Sequence, residues 1–297
     1  MNRSFASRLL AALPLLTFTG CAPGVLDPAG PVAAGEKTLL YNSLGIMLAI
    51  VVPTIVVTLA VAWWFRAGNE RATYRPDFTY SGQLELLVWS IPLLVIVFLG
   101  GLAWVSSHDL DPPRKLAVPA GSKVQPMEVD VVSLDWKWLF IYPQQGVASV
   151  NQLVIPVGTP VTFHVTSATV MNSFFVPRLG SQIYAMAGMD NQVNLMADQP
   201  GTYNGFSAHY SGAGFANMQF KTFAVPPARF AAWVAHTKAA GPVLDAAAYE
   251  KLGGAEGNIP PFTYRAVNPR FYQYAVAHAI APQKTVSNGR EERKNVR

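Results

Sequence analysis

The sequence predicts a membrane protein: a two-helix transmembrane hairpin, then an extracytoplasmic β-sandwich, then a small helical C-terminal extension. Three observations carry this. Two long apolar stretches lie in the first third of the chain. Short β-rich runs broken by Gly/Pro turns fill the middle, and beyond Val225 the pattern becomes helical and aromatic-rich. Composition agrees, since only 13% of the 297 residues are charged and the mean hydropathy is positive, unlike an ordinary soluble enzyme. The formal charge of +5 is modest and much of it sits in the terminal "GREERKNVR". No basic stripe with interleaved aromatics is present, which excludes nucleic acid as a partner.

Residues 1–20 have the layout of a signal peptide, with Arg3 and Arg8, an apolar run, and small residues before Cys21. Thr19-Gly20-Cys21 resembles a bacterial lipoprotein cleavage site. Cleavage there would leave Cys21 as a lipidated N-terminus anchored in membrane lipid. The alternative is a plain signal peptide with an incidental free thiol. Cys21 is the chain's single cysteine, so neither an intrachain disulfide nor a Cys-based zinc site can form.

Residues 21–41 are expected to be an extracytoplasmic N-terminal segment. From Asn42 to Phe65 the chain carries no charge and is long enough to cross a bilayer core of about 30 Å. Trp63 and Trp64 close this span as an interfacial belt. The loop 66–83 carries Arg66, Arg71 and Arg75, so the positive-inside rule places it in the cytoplasm. The second span, 84–106, holds one charge, Glu85, in its first turn. Both chain ends then face outward, in agreement with the export signal.

Residues 107–225 open on a Pro-rich linker and hold the expected sandwich. "MEVDVVSLDWKWLFIY" alternates and then turns aromatic. "NQLVIPVGTPVTFHVTSA" holds two β-rich runs split at Val157-Gly158-Thr159-Pro160, and "NQVNLMADQPGTYNGFSA" places a strand before a Pro-Gly turn. In the extension, 226–282, "PARFAAWVAHTKAA" and "LDAAAYEKLGG" read as helices, and "NPRFYQYAVAHAIAP" as a third. Residues 283–297 are expected to be a disordered tail.

The segments "LELLVWSIP", "VVSLDWKWLFIYPQQG", "VMNSFFVPRLGSQIYAMAGM" and "SAHYSGAGFANM" carry a family likeness over nearly the whole mature chain. The chain resembles subunit II of the haem–copper oxidases, and most closely the ubiquinol oxidases of the cytochrome bo type. The resemblance implies a cupredoxin-like sandwich. In the cytochrome c oxidase branch the late loop reads Cys-x-Glu-x-Cys-x₃-His-x₂-Met and binds two coppers with one earlier His. Laid over this chain, those positions fall on Ser207, His209, Ser211, Phe215 and Met218, and the earlier His on Asn172. Only Met218 survives. A neutral serine hydroxyl cannot replace a bridging thiolate, so no dinuclear copper is expected at this degenerate site.

His209 falls where the family's Glu links the copper site toward a magnesium, and it reads here as a structural residue. His108, His164, His236 and His278 show no ligand spacing and read as structural or solvated. Met171, Met186 and Met189, with no Cys or paired His beside them, read as packing, as do Trp136 and Trp138.

Glu85, Trp89 and Pro92 match the family pattern E-x-x-x-W-x-x-P. The resemblance implies that this glutamate lies at the mouth of a proton channel through subunit I. The plainer reading is a carboxylate at the positive end of a helix dipole.

The resemblance further implies a proton-pumping enzyme of an aerobic respiratory chain, in a bacterial inner membrane, that oxidises ubiquinol and reduces oxygen to water. The haems and one copper would sit in subunit I, with subunits III and IV as further partners and no cofactor in this chain. Two other readings stand beside it: a cytochrome c oxidase subunit II, which needs the missing copper ligands, and a membrane-anchored cupredoxin-like binding protein.

Overall fold

A computed structural model describes residues 24–73, 75–118, 124–254 and 259–278. Cys21, the signal segment 1–20 and the tail 283–297 lie outside the described residues. Helix α1 spans Pro31–Trp64 and α2 spans Gly82–Asp109. Both are long and apolar enough to cross a membrane. Each contains a proline, Pro53 and Pro92, which removes one backbone donor without ending the helix. Thr54 and Thr58 donate their hydroxyls back to Ile50 O and Thr54 O at 2.8 and 2.7 Å, so these two hydroxyls are satisfied within the helix, as an apolar surrounding demands.

Helix α1 starts at Pro31, well before the apolar stretch that begins at Asn42. Pro31 at the first helical position is pre-organised for a helix start. The preceding residues are held by the outer domain. The Ala29 and Ala33 amides donate to Arg178 O and Leu179 O, Ala33 is fully buried, and Ser181 Oγ donates to the Glu36 carboxylate. A Cβ on Gly30 would fall 2.1 Å from Met196 O, so only glycine allows this approach.

The outer domain is a sandwich of a six-stranded sheet, in the order β12-β3-β2-β1-β5-β8, and a five-stranded sheet, β4-β10-β9-β6-β7. In chain order the strands are β1 Met127–Leu134, β2 Lys137–Tyr142, β3 Val147–Val150, β4 Gln152–Pro156, β5 Val161–Ser167, β6 Asn172–Phe175, β7 Ile183–Ala185, β8 Asn191–Leu195, β9 Gly201–Ser207 and β10 Gln219–Val225. The pairs β1–β5 and β4–β10 are parallel; the other pairings within the two sheets are antiparallel. Aromatic rings fill the space between the sheets. Trp138 meets Phe174 at 5.8 Å, and Phe174 stacks on Phe220 at 5.5 Å, the separations at which ring pairs attract.

The three helices expected beyond Val225 form as α3 Pro227–Ala239, α4 Ala246–Gly254 and α5 Phe271–Ala277. Short strands β11 Val243–Leu244, β12 Phe262–Tyr264 and β13 Ala266–Val267 link them, and β12 extends the main sheet by pairing with β3. The extension explains why β1 and β2 are apolar on both faces. Val129, Val131, Trp138 and Phe140 point into the sandwich. Val132, Leu134, Leu139 and Ile141 point outward into a second core with Leu244, Tyr249, Leu252 and Phe271. Alternation fails where both faces are covered.

Candidate functional site

The loop after β9 and the start of β6 meet at one end of the five-stranded sheet. Asn172 and Ser207 are buried there, at 0% and 3% exposure. Ser207 Oγ lies 3.0 Å from Asn172 Oδ1 and 3.1 Å from His209 O, so its one proton is shared between two acceptors. The Asn172 amide in turn donates to Val170 O at 3.2 Å. The Ser207 backbone amide donates to Met218 O at 3.1 Å, which closes the loop at its base. Ser211 Oγ reaches Met218 Sδ at 3.9 Å, and Met218 is 1% exposed. Phe215 begins a 3-10 turn, Phe215–Asn217, and its ring meets Tyr210 edge-on at 5.6 Å. The His209 ring stands edge-on to Tyr184 at 6.1 Å. All six positions singled out in the sequence are therefore in or around one loop.

The loop has a floor that the sequence did not announce. Trp136 is the second residue of the two-residue link between β1 and β2, and it sits at φ 58°, an uncommon region for a bulky residue. Its indole Nε1 donates to Ser211 O at 3.2 Å. A Cβ on Gly214 would fall 2.2 Å from the indole ring, so the loop lies flat on the tryptophan because Gly214 has no side chain. Asp135 fixes the other side of the link by accepting from Thr169 Oγ1 at 2.6 Å. Ser173 and Gln182 were also unmarked in the sequence. The Ser173 carbonyl accepts from the Ala208 amide at 3.1 Å, and its hydroxyl donates to Gln182 Oε1 at 3.1 Å.

Chemically, this place offers an amide, two hydroxyls, a phenyl ring, one imidazole and one thioether. Two coppers need thiolates or several imidazoles, and here the buried polar groups already satisfy one another. The donor set does not fit a dinuclear copper. Among the described residues no group of three or more His, Cys, Asp or Glu side chains is disposed to hold a metal ion.

The other sequence-marked residues lie elsewhere. Glu85 is exposed in the first turn of α2, and Trp89, one turn on, is 73% exposed. With Pro92, spaced at i+4 and i+7, they share one helix face. Trp138 is wholly buried in the sandwich core. His108 and His278 each contact the carbonyl four residues earlier, Trp104 O at 2.8 Å and Tyr274 O at 3.0 Å. His164 approaches Asp190.

Residues 127–225 match the family described as Cytochrome C oxidase subunit II, periplasmic domain. The periplasmic domain of subunit II of cytochrome oxidase of Bradyrhizobium japonicum aligns over 40% of this chain and 96% of its own, at 26% identity and a TM-score of 0.36. Among curated proteins, the cytochrome bo(3) ubiquinol oxidase subunit 2 of Pseudomonas putida is 46% identical over 93% of this chain and 88% of its own length. The ubiquinol oxidase subunit 2 of Acetobacter aceti is 48% identical over 91% and 87%. With a subunit II periplasmic domain of cupredoxin type behind two helices of membrane-crossing length, and with relatives alike at this level almost end to end, the chain belongs to the ubiquinol oxidase subunit 2 family.

Proposed function

We propose that this chain is the subunit II of a proton-pumping ubiquinol oxidase, carries no redox centre of its own, and serves to anchor and cover subunit I. Haems, one copper and the quinol site belong to subunit I in this reading, with subunits III and IV completing the complex. The observation that carries it is the Asn172–Ser207 pair: in a chain of this family, the place of the copper ligands is filled by neutral groups hydrogen-bonded to each other. A lipid-soluble quinol can deliver electrons within the membrane, so no relay is needed in the outer domain.

Orientation follows from the loop arginines, which keep residues 66–83 in the cytoplasm and the sandwich in the periplasm. Glu85 then sits at the cytoplasmic end of α2, on one face with Trp89 and Pro92, as a group that takes up protons for the channel in subunit I. A carboxylate at a span's end is costly unless solvated or paired, and this helix starts with it exposed. Lipidation of Cys21 would add a second anchor to the two helices.

Purification through an affinity tag on this chain tests the reading. The expected product contains haem protein and consumes oxygen with ubiquinol but not with reduced cytochrome c. Oxygen uptake with reduced cytochrome c, or recovery of the chain without haem protein, overturns it.

A further inference from the structure

One cluster of titratable side chains lies outside the degenerate copper loop, between the six-stranded sheet and α5. Asp130 on β1 is directly paired in register with His164 on the parallel strand β5. Both side chains point to the outer face, because their neighbours Val129, Val131, Phe163 and Val165 point into the sandwich. Asp130 is 5% exposed. His164 Nδ1 lies 3.1 Å from Asp190 Oδ2, and Gln192 Nε2 lies 3.4 Å from the same nitrogen. From the extension, Tyr272 on α5 donates its phenol to Asp190 Oδ1 at 2.9 Å. The Tyr272 and His164 rings meet edge-on at 6.2 Å. The cluster is thus the polar margin of the second core, in which Phe271, Tyr272 and Ala275 of α5 cover Val132 and Leu134.

We propose that Asp130, His164, Asp190 and Tyr272 form a proton-operated latch that holds helix α5 and the C-terminal extension on the outer face of the sandwich.

The charged and titratable groups facing Asp130 are Glu128 on its own strand, His164 on β5, Asp190 before β8, and Tyr272 on α5. Burial first of all raises the Asp130 carboxyl, to about 7; His164 opposes the rise, and Asp190 and Glu128 add to it. Burial and the nearby carboxylates raise Tyr272 as well, so it remains a donor to Asp190 at any physiological pH. At low pH a protonated Asp130 sits in its buried place without charge, beside the contact of His164 with Asp190. At higher pH Asp130 would have to carry its charge while buried, with Asp190 and Glu128 nearby opposing it.

A group whose pKa is raised in the docked state binds its proton more tightly there than when released. Docking is therefore strongest below the ordinary carboxylate range and weakens as pH rises through about 7. The contacts of Tyr272 with Asp190 and His164 carry the latch, and the raised Asp130 carboxyl gives its pH direction. The orientation proposed above adds that it would meet the pH of the outer compartment, into which a pump delivers protons.

Hydrogen–deuterium exchange of the full chain in detergent micelles tests it, at about pH 5.5 and about pH 8, values that bracket the raised Asp130 carboxyl, with labelling times scaled for intrinsic exchange. Protection over Phe271–Ala277 is expected to fall about tenfold between the two, while Trp138–Tyr142 in β2 stays unchanged. Asp130→Asn, uncharged throughout, is expected to lose most of that pH dependence; Asp130→Ser, smaller and equally uncharged, covers the case in which the amide does not fold. Tyr272→Phe is expected to lower protection at both pH values. Equal wild-type protection at both pH values overturns the latch, as does an undiminished fall in an uncharged Asp130 variant. A loss shared by β2 also overturns it, since the whole domain would then be loosening.

Discussion

Ser207 is a hydroxyl where a bridging thiolate would stand, and its surroundings are organised around that fact. With Oγ 3.0 Å from Asn172 Oδ1, Ser207→Ala leaves a buried amide oxygen without its donor. Such a loss costs about 1–3 kcal/mol, and thermal unfolding of the full chain in detergent should show it; an unchanged midpoint would mean the pair contributes nothing. Gly214 makes a second residue-scale case. Gly214→Ala drives a methyl into the Trp136 ring and should destabilise by about 1–3 kcal/mol, the usual range for overpacking. Adding Trp136→Ala to Gly214→Ala should make the alanine cost less than it does alone. Simple additivity in that cycle would rule out the contact as the cause. The loop's six marked positions were legible in the sequence because their spacing matches a family motif. Trp136 was read as packing, but its place beneath the loop was not legible, because its partner Ser211 lies 75 residues away and no local pattern links the two.

Among the elements, α2 carries the functional prediction. Glu85→Ala should slow quinol-driven oxygen uptake several-fold while haem content and assembly stay intact, measured on the purified complex; unchanged turnover would leave Glu85 as a helix-end charge only. Both helices could be read from their apolar length, but the early start of α1 could not, because Pro31–Tyr41 is neither uniformly apolar nor strongly patterned and is held by contacts with Leu179 and Ser181. Strands β1 and β2 show the converse difficulty. Their continuous burial blurs the two-residue period, and only the extension packed on the outer face accounts for it. The short strands β3, β6 and β7 were missed as separate elements. At three or four residues each, they are too brief to show a period of their own.

At the scale of the whole molecule, the sandwich bonds both to the helices with their linker and to the extension. On the membrane side, Asn194 bonds the linker at Pro112 O and Pro113 O, at 3.3 and 3.0 Å, and Ser181 bonds Glu36 of α1. In the extension, α4 and α5 share a core with Val132, Leu139, Ile141 and Val150. Ending the chain at Val225 would expose that apolar face and also remove the strand β12 from the sheet edge. The truncated chain should aggregate on size-exclusion chromatography in detergent; a monodisperse product with an unchanged unfolding midpoint would mean the second core is dispensable. The proposed role has a chain with this family's architecture serve its oxidase without a metal of its own. The most direct test is the copper content of the full chain, expressed without its partners, after incubation with copper and desalting. No retained copper and no thiolate–copper absorption are expected. Two tightly held coppers per chain would contradict that role, and would return cytochrome c as the candidate electron donor.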